Sequence, residues 1–224
     1  MLFVEDVTQL TAEQIFARLT FLPVLLSSII GLIRYRRLAE NLRLLAILNW
    51  FELPLQIVGI ALMMMRKSNL FLMPIYTVGE LALLALVYRQ TLQSAAFSRV
   101  IPWLVGSFTL YVLFDSFWTP EALQWVRSGQ QVIQSLLILA LAATYFRKLL
   151  NELRVERLSQ EPMFWVSLGL TLYFLGYVQI ALFSKYMMES YSARLNANFW
   201  TVETALNYLL HLCYAYALWM RPQK

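Results

Sequence analysis

Seven apolar stretches, each about as long as a bilayer is thick, constrain this chain more than any other feature. They cover residues 14–34, 44–65, 70–89, 99–118, 130–147, 162–185 and 198–220. A helix of about 20 apolar residues crosses the hydrocarbon core of a membrane. The connections between the stretches are short and carry most of the charge. We therefore expect an all-α, polytopic membrane protein, with residues 1–224 forming a single seven-transmembrane-helix bundle.

The composition excludes an ordinary soluble domain. Of the 224 residues, 60% are hydrophobic and 14% are charged, whereas about half and about a quarter are usual in soluble proteins. The N-terminal sequence MLFVEDVTQLTAEQ is acidic and lacks the basic start of a signal peptide, so we expect no cleavage.

The distribution of lysine and arginine predicts the orientation of the bundle. The side richer in basic residues holds twelve of them: Arg34, Arg36, Arg37, Arg43, Arg89, Arg99, Arg147, Lys148, Arg154, Arg157, Arg221 and Lys224. The other side holds six: Arg18, Arg66, Lys67, Arg127, Lys185 and Arg194. Basic connections remain in the cytoplasm, which predicts an outside N-terminus and a cytoplasmic C-terminus in a cell inner (cytoplasmic) membrane. The net charge of +5 is then mainly topological, and nothing supports binding of nucleic acid.

The last apolar stretch contains a stripe of polar residues. Glu203, Asn207 and His211 follow one another at intervals of four, and Tyr214 comes three residues later. This spacing places them along one face of a helix. Polar and ionisable groups are costly in lipid, so the face is predicted to turn towards protein or a wet cavity.

Two further glutamates lie deep in apolar stretches. Glu80 is near the middle of the third stretch, and Glu52 is similarly deep in the second, where Asn49 and Gln56 share its face. Tyr173 of the sixth stretch is placed to approach them. The predicted ligand- or proton-binding site therefore comprises Asn49, Glu52, Gln56, Glu80, Tyr173, Glu203, Asn207 and His211.

Other polar residues inside the stretches are expected either to join this site or to lie apart from it. Gln131 and Gln134 of the fifth stretch and Gln179 of the sixth are expected to converge on the site. Asp115, at the outer end of the fourth stretch, is expected to be solvated.

Small residues predict where helices pack closely. Ser27 and Gly31 are four residues apart in the first stretch, and Gly169 and Gly176 are one heptad apart in the sixth. Because small residues leave room between helices, neighbouring backbones can approach each other closely. Such packing matters in a membrane, since burial of apolar surface does not drive helices together there.

The predicted site is compatible with several chemistries. Carboxylates beside a histidine can share protons, as a proton relay or a proton-coupled carrier requires, or they can bind a cationic or polyhydroxyl ligand. Alternatively, each polar group satisfies a neighbour and fixes the helix register. His211 is the one histidine, so we predict neither a metal site nor a cofactor.

Two seven-helix classes are excluded by missing residues. A retinal protein needs a lysine in the middle of its last helix, and residues 198–220 contain none. Seven-helix zinc hydrolases need several histidines, and only His211 is present.

Short motifs across most of the chain carry a resemblance. They are Leu22-Pro23, Arg34-Tyr35-Arg36-Arg37, Glu80, Glu161-Pro162-Met163-Phe164-Trp165, Tyr173 and Asn207. In these the chain resembles a group of bacterial seven-helix membrane proteins that is similar to the membrane regions of sensor kinases. The resemblance implies a sensory or receptor-like membrane module and carries over no catalytic residues.

The hypothesis that follows is a receptor-like module that binds a small or lipid-like ligand in the intramembrane polar cavity. Its occupancy would shift the fifth and sixth helices, and a cytoplasmic signalling protein would detect the shift around Arg147 to Arg157. The alternative is a proton- or ion-coupled carrier of small solutes. A weaker one is a lipid-modifying enzyme with His211 or a carboxylate as general base, for which no nucleophile, metal set or oxyanion element is recognisable. Membrane lipid is the expected surrounding partner.

Overall fold

A computed structural model describes residues 19–65, 67–118, 128–152, 158–190 and 193–220. In this part of the chain the all-α prediction is confirmed. Seven α-helices follow one another: α1 (Phe21–Arg34), α2 (Glu40–Met64), α3 (Leu72–Leu92), α4 (Ala95–Trp118), α5 (Ser128–Glu152), α6 (Pro162–Ser190) and α7 (Ala193–Trp219). Each coincides with a predicted apolar stretch, with ends that differ by a few residues. Residues 14–18 of the first stretch lie outside the described residues.

Five of these helices are long and apolar enough to cross a membrane. They are α2, α3, α4, most of α5 (Ser128–Asn151) and the first part of α6 (Pro162–Phe183). The α1 helix, with 14 described residues, is not one of the five. The helix α7 has 27 residues but carries Glu203, Asn207 and His211, which lower its mean hydropathy. The polar stripe thus distinguishes α7 in composition from the five apolar helices.

Six helices form a closed ring. Each of α1, α2, α3, α5, α6 and α7 packs against the next in that order, and α7 returns to α1. A hydrogen bond from Arg34 Nη1 to the Leu218 carbonyl (3.3 Å) joins the end of α1 to the end of α7. The remaining helix, α4, lies outside the ring and packs mainly on α3. Side chains that α2, α3, α5, α6 and α7 turn inwards therefore meet in one interior.

Glycines set the distance between several neighbours in the ring. A Cβ atom on Gly31 of α1 would lie 2.9 Å from the Cβ of Ala46 on α2. Between α6 and α7, a Cβ on Gly169 would lie 2.9 Å from the Cβ of Cys213, and one on Gly176 would lie 2.4 Å from Leu206 Cδ1. The predicted close packing at these glycines is present.

The interior has an apolar half and a polar half. Buried aliphatic side chains fill the half in which α3, α5 and α7 end, and they include Leu45, Leu48, Leu84, Ile138, Leu170 and Leu218. The buried glutamates and glutamines lie towards the half in which those three helices begin. A candidate site is therefore confined to that half and the middle of the bundle.

Candidate functional site

A histidine and a glutamate meet at the centre of the ring. The Nε2 atom of His211 on α7 lies 3.8 Å from Oε2 of Glu52 on α2, and each side chain is 1% exposed. This separation is longer than a hydrogen bond, so the two side chains are neighbours without being hydrogen-bonded to each other. The Tyr76 side chain of α3 lies beside the same glutamate. Three helices therefore meet at the Glu52 carboxyl.

The second glutamate, Glu80 of α3, is bound by a glutamine. Gln134 Nε2 on α5 donates a hydrogen bond of 2.6 Å to Glu80 Oε2, and both side chains are 3% exposed. Of the glutamines expected to converge on the site, Gln134 is the one that binds a predicted carboxyl. Gln131 instead directs its amide to the Met73 sulfur, at 3.6 Å.

The third glutamate, Glu203 of α7, is bound by a tyrosine. The Tyr173 hydroxyl on α6 donates a hydrogen bond of 3.1 Å to Glu203 Oε1. The Tyr173 ring stacks on the ring of Tyr177, with centroids 5.4 Å apart and planes inclined by 11°. Glu203 of the polar stripe is thus bound to α6 through the Tyr173 hydroxyl.

Tyrosines connect the three glutamates into one network. Tyr76 lies in the neighbourhood of Glu52, Glu80 and Tyr173. Tyr173 in turn interacts with Glu80 and Glu203. We name the set formed by Glu52, Tyr76, Glu80, Gln134, Tyr173, Glu203 and His211 the polar network.

Several buried polar atoms in and beside the network have no hydrogen-bond partner among the residues that the structure describes. They are Glu52 Oε2, Gln56 Oε1, Asn207 Oδ1, both ring nitrogens of His211 and the Tyr214 hydroxyl. Tyr214 is fully buried, and its ring meets that of His211 edge to face at 5.4 Å. Burying such a group unpaired costs about 1–3 kcal/mol. An interior that carries these atoms together suits an occupant with hydrogen-bonding groups of its own.

One predicted site residue is engaged elsewhere. Asn49 is fully buried, but its Oδ1 accepts a 2.6 Å hydrogen bond from Ser27 Oγ and its Nδ2 donates to the Leu45 carbonyl at 2.8 Å. Its amide therefore joins α2 to α1 and has no bond to a glutamate of the network. The position of Asn49 and Glu52 on the same face of α2 did not indicate that Asn49 would bond with Ser27.

Two other predicted placements differ from the structure. Asp115 is not simply solvated, because Gln130 Nε2 donates a 2.7 Å hydrogen bond to its Oδ2 and so connects α4 to α5. Gln179 does not converge on the network, because its side chain is exposed on the outer surface of α6. In both cases the surroundings of the side chain depend on how its helix is rotated about the helix axis, and not on the position of the residue along the sequence.

The arrangement offers little for metal binding. Among the described residues, no three side chains of histidine, cysteine, aspartate or glutamate cluster as metal ligands would. His211 and Glu52 supply two such side chains, with Nε2 and Oε2 3.8 Å apart.

Tyr76 of the network and Tyr177, which stacks on Tyr173, were not predicted from the sequence, although a signal was present. Tyr76 precedes Glu80 by four residues and Tyr177 follows Tyr173 by four, so each lies one helical turn from a predicted residue. Tyrosine combines an apolar ring with a hydroxyl that finds a partner when buried. A search for tyrosines one turn from each buried glutamate would have found Tyr76.

No protein-family model matches the chain, and no curated protein or solved structure is detectably similar to it.

Proposed function

We propose that the chain is a multi-pass protein of a cell inner membrane with seven spanning helices, its N-terminus outside and its C-terminus in the cytoplasm. The five apolar helices support the membrane location. For α7, the support is that His211 and Thr204 are buried in the ring while Leu209 and Leu212 are exposed. The excess of lysine and arginine on one side supports the orientation.

Within this membrane domain, the polar network binds a small ligand and acts as a receptor. The observation that carries the proposal is the group of buried, unpartnered polar atoms on Glu52, His211 and Tyr214. A ligand that donates to the Glu52 oxygen and accepts from the Tyr214 hydroxyl would remove the cost of leaving these atoms unpaired. Cationic or polyhydroxyl molecules have the required groups.

Signalling would follow from the position of Glu203 and Tyr173 on neighbouring helices. A ligand that competes for the Glu203 carboxyl would weaken its 3.1 Å bond to Tyr173 and allow α6 and α7 to move relative to each other. The α6 helix begins close to the end of α5, where Arg147 and Lys148 lie. A cytoplasmic protein that binds there would detect the movement; residues 153–157 of the predicted docking region lie outside the described residues.

A panel of organic cations and polyols tests this proposal. The purified chain in lipid nanodiscs is heated with each compound, and the melting temperature is recorded for the wild type and for Glu52→Gln and Glu203→Gln. We expect a saturable stabilisation of the wild type that either substitution weakens, while Ser167→Ala, which removes the separate Tyr88–Ser167 hydrogen bond, leaves it unchanged. Equal stabilisation of all four proteins, or of none by any compound, contradicts the proposal.

A proton-coupled carrier is the second candidate, and the continuity of the network favours it. Glu203, Tyr173, Glu80, Tyr76 and Glu52 form a series of neighbouring groups in the interior, and within it the Tyr173 hydroxyl donates a hydrogen bond to Glu203. Carboxyl and hydroxyl groups in such a series can pass a proton. In proteoliposomes that enclose a pH-sensitive dye, a carrier would acidify the lumen when a transported polyol or cation is added, and Glu80→Gln would abolish the signal. Absence of proton movement with every solute of the panel argues against this candidate.

A further inference from the structure

A cavity lies between α6 and α7, on the outer surface of the ring. Its volume is about 740 Å³, which falls within the range of about 300–1,000 Å³ typical of sites for small molecules. Its walls include Gly176, Gln179, Ile180 and Phe183 of α6 with Phe199 and Val202 of α7. We name this cavity the α6–α7 groove.

The groove begins where the two helices separate. At Gly176 a Cβ atom would lie 2.4 Å from Leu206 Cδ1, so α6 and α7 are in close contact at this level. Gly176 also lines the groove, which extends from it towards the later part of α6 and the earlier part of α7. The glycine therefore lies at the level where the two helices are in close contact and also lines the groove.

The groove faces the region that hydrocarbon would occupy. Part of its α6 wall belongs to the apolar stretch Pro162–Phe183, which is long enough to cross a membrane. Phe183 is 58% exposed and Val202 is 54% exposed, so both sides present apolar surface outwards. In a bilayer, lipid chains are the molecules that cover such a surface.

Two side chains with polar groups interrupt this apolar surface, Gln179 and Tyr186. Gln179 is exposed in the groove, and its amide has no hydrogen-bond partner among the residues that the structure describes. At 1.5 Å per residue it lies about 10 Å from the middle of Pro162–Phe183. Half of the hydrocarbon thickness is about 15 Å. The amide is therefore within a few ångströms of the level at which lipid ester groups lie.

We infer that the α6–α7 groove binds one acyl chain of a membrane phospholipid, whose ester carbonyl accepts a hydrogen bond from the Gln179 amide. The apolar walls take the chain, and the ester satisfies the glutamine that would otherwise face hydrocarbon. The inference rests on the proposed membrane topology but not on a ligand in the polar network, from which the groove is distinct.

Photocrosslinking of the full chain in nanodiscs tests this site. The discs contain phosphatidylcholine with a small fraction of the same lipid carrying a diazirine in one acyl chain, and labelled positions are mapped by mass spectrometry. We expect labelling to concentrate on residues 176–186 and 199–202 rather than on the exposed face of α4. Val202→Trp, which fills the groove, should reduce labelling there about fivefold, whereas Leu175→Trp, on an exposed part of α6 outside it, should not.

A matched pair of lipids tests the role of Gln179. An ether-linked analogue of the probe has the same chain but no carbonyl, so the wild type should label about fivefold less with it, the effect of about 1 kcal/mol for one hydrogen bond. Gln179→Leu should label equally with both lipids. Even labelling of all lipid-facing helices overturns the site, and equal labelling of the wild type by both lipids overturns the ester contact.

The same experiment separates this inference from the proposed function. Glu52→Gln should leave the labelling pattern unchanged even if it abolishes ligand binding in the polar network. No labelling of any helix would contradict the membrane topology itself, and with it the groove.

Discussion

His211 of α7 and Glu52 of α2 approach each other across the ring, with Nε2 and Oε2 3.8 Å apart and 1% of each side chain exposed. The α1 helix lies between α2 and α7 around the ring, so this contact passes through the interior rather than along a helix interface. Two ionisable groups that are buried together and not fully hydrogen-bonded influence each other's charge and position strongly.

The first prediction is that these two residues are energetically coupled. Glu52→Gln and His211→Asn should each destabilise the protein, and the double variant should be less destabilised than the sum of the two by about 1 kcal/mol, because buried partners are not independent. Equilibrium unfolding in mixed micelles measures the four stabilities. As a control, Glu52→Gln combined with Ser167→Ala should be additive, since Ser167 bonds Tyr88 elsewhere in the core. If the effects of Glu52→Gln and His211→Asn also add up, as those of the control pair should, the two side chains do not interact.

The second prediction concerns the contact between α1 and α2. Gly31→Ala should destabilise the protein by about 1–3 kcal/mol, the usual cost of overpacking, because the new Cβ would lie 2.9 Å from the Cβ of Ala46, which cannot rotate away. Gly106→Ala is the matched control: a Cβ there meets nothing within 4 Å, and the gain in helix propensity should stabilise by up to about 1 kcal/mol. Melting temperatures that move in the same direction for both variants would contradict the packing described.

The third prediction concerns the end of α3. Gln93 caps this helix with φ at 49°, in the left-handed region that favours glycine. Gln93→Gly should therefore raise the stability by about 0.5–1 kcal/mol, whereas Gln93→Ala should not, because alanine keeps the Cβ that makes the conformation costly. Unfolding curves of the two variants provide the comparison, and equal effects would show that the backbone conformation is not the cause.

The fourth prediction is a pH dependence at the start of α6. Burial raises the pKa of Glu161, and a hydrogen bond from the Met163 backbone N–H offsets part of this rise. The folded protein then binds this proton more readily than the unfolded chain, so the contribution of Glu161 to stability is present at low pH and is lost as the pH rises through its raised pKa. Between about pH 4 and pH 8, the melting temperature of Glu161→Gln should increase relative to that of the wild type. A difference that stays constant over this range would exclude the effect.

The helices themselves could be predicted from the sequence because their signal is local. A run of about 20 apolar residues is sufficient to indicate an apolar helix. Each predicted stretch coincides with an α-helix in the described part of the chain, and five of these helices are long and apolar enough to cross a membrane. The i, i+4 spacing of Glu203, Asn207 and His211 likewise placed all three on one face, and their polarity predicted that this face turns inwards.

The sequence determined that glutamates, a histidine and several amides would be enclosed in a bundle of apolar helices. Only the tertiary structure decided their partners: Glu80 with Gln134, Glu203 with Tyr173, Asn49 with Ser27, and Asp115 with Gln130. It also decided that α4 lies outside the ring. The physical reason is that periodicity gives the face of a helix that is polar, whereas its neighbours and its rotation depend on how all seven helices pack at once.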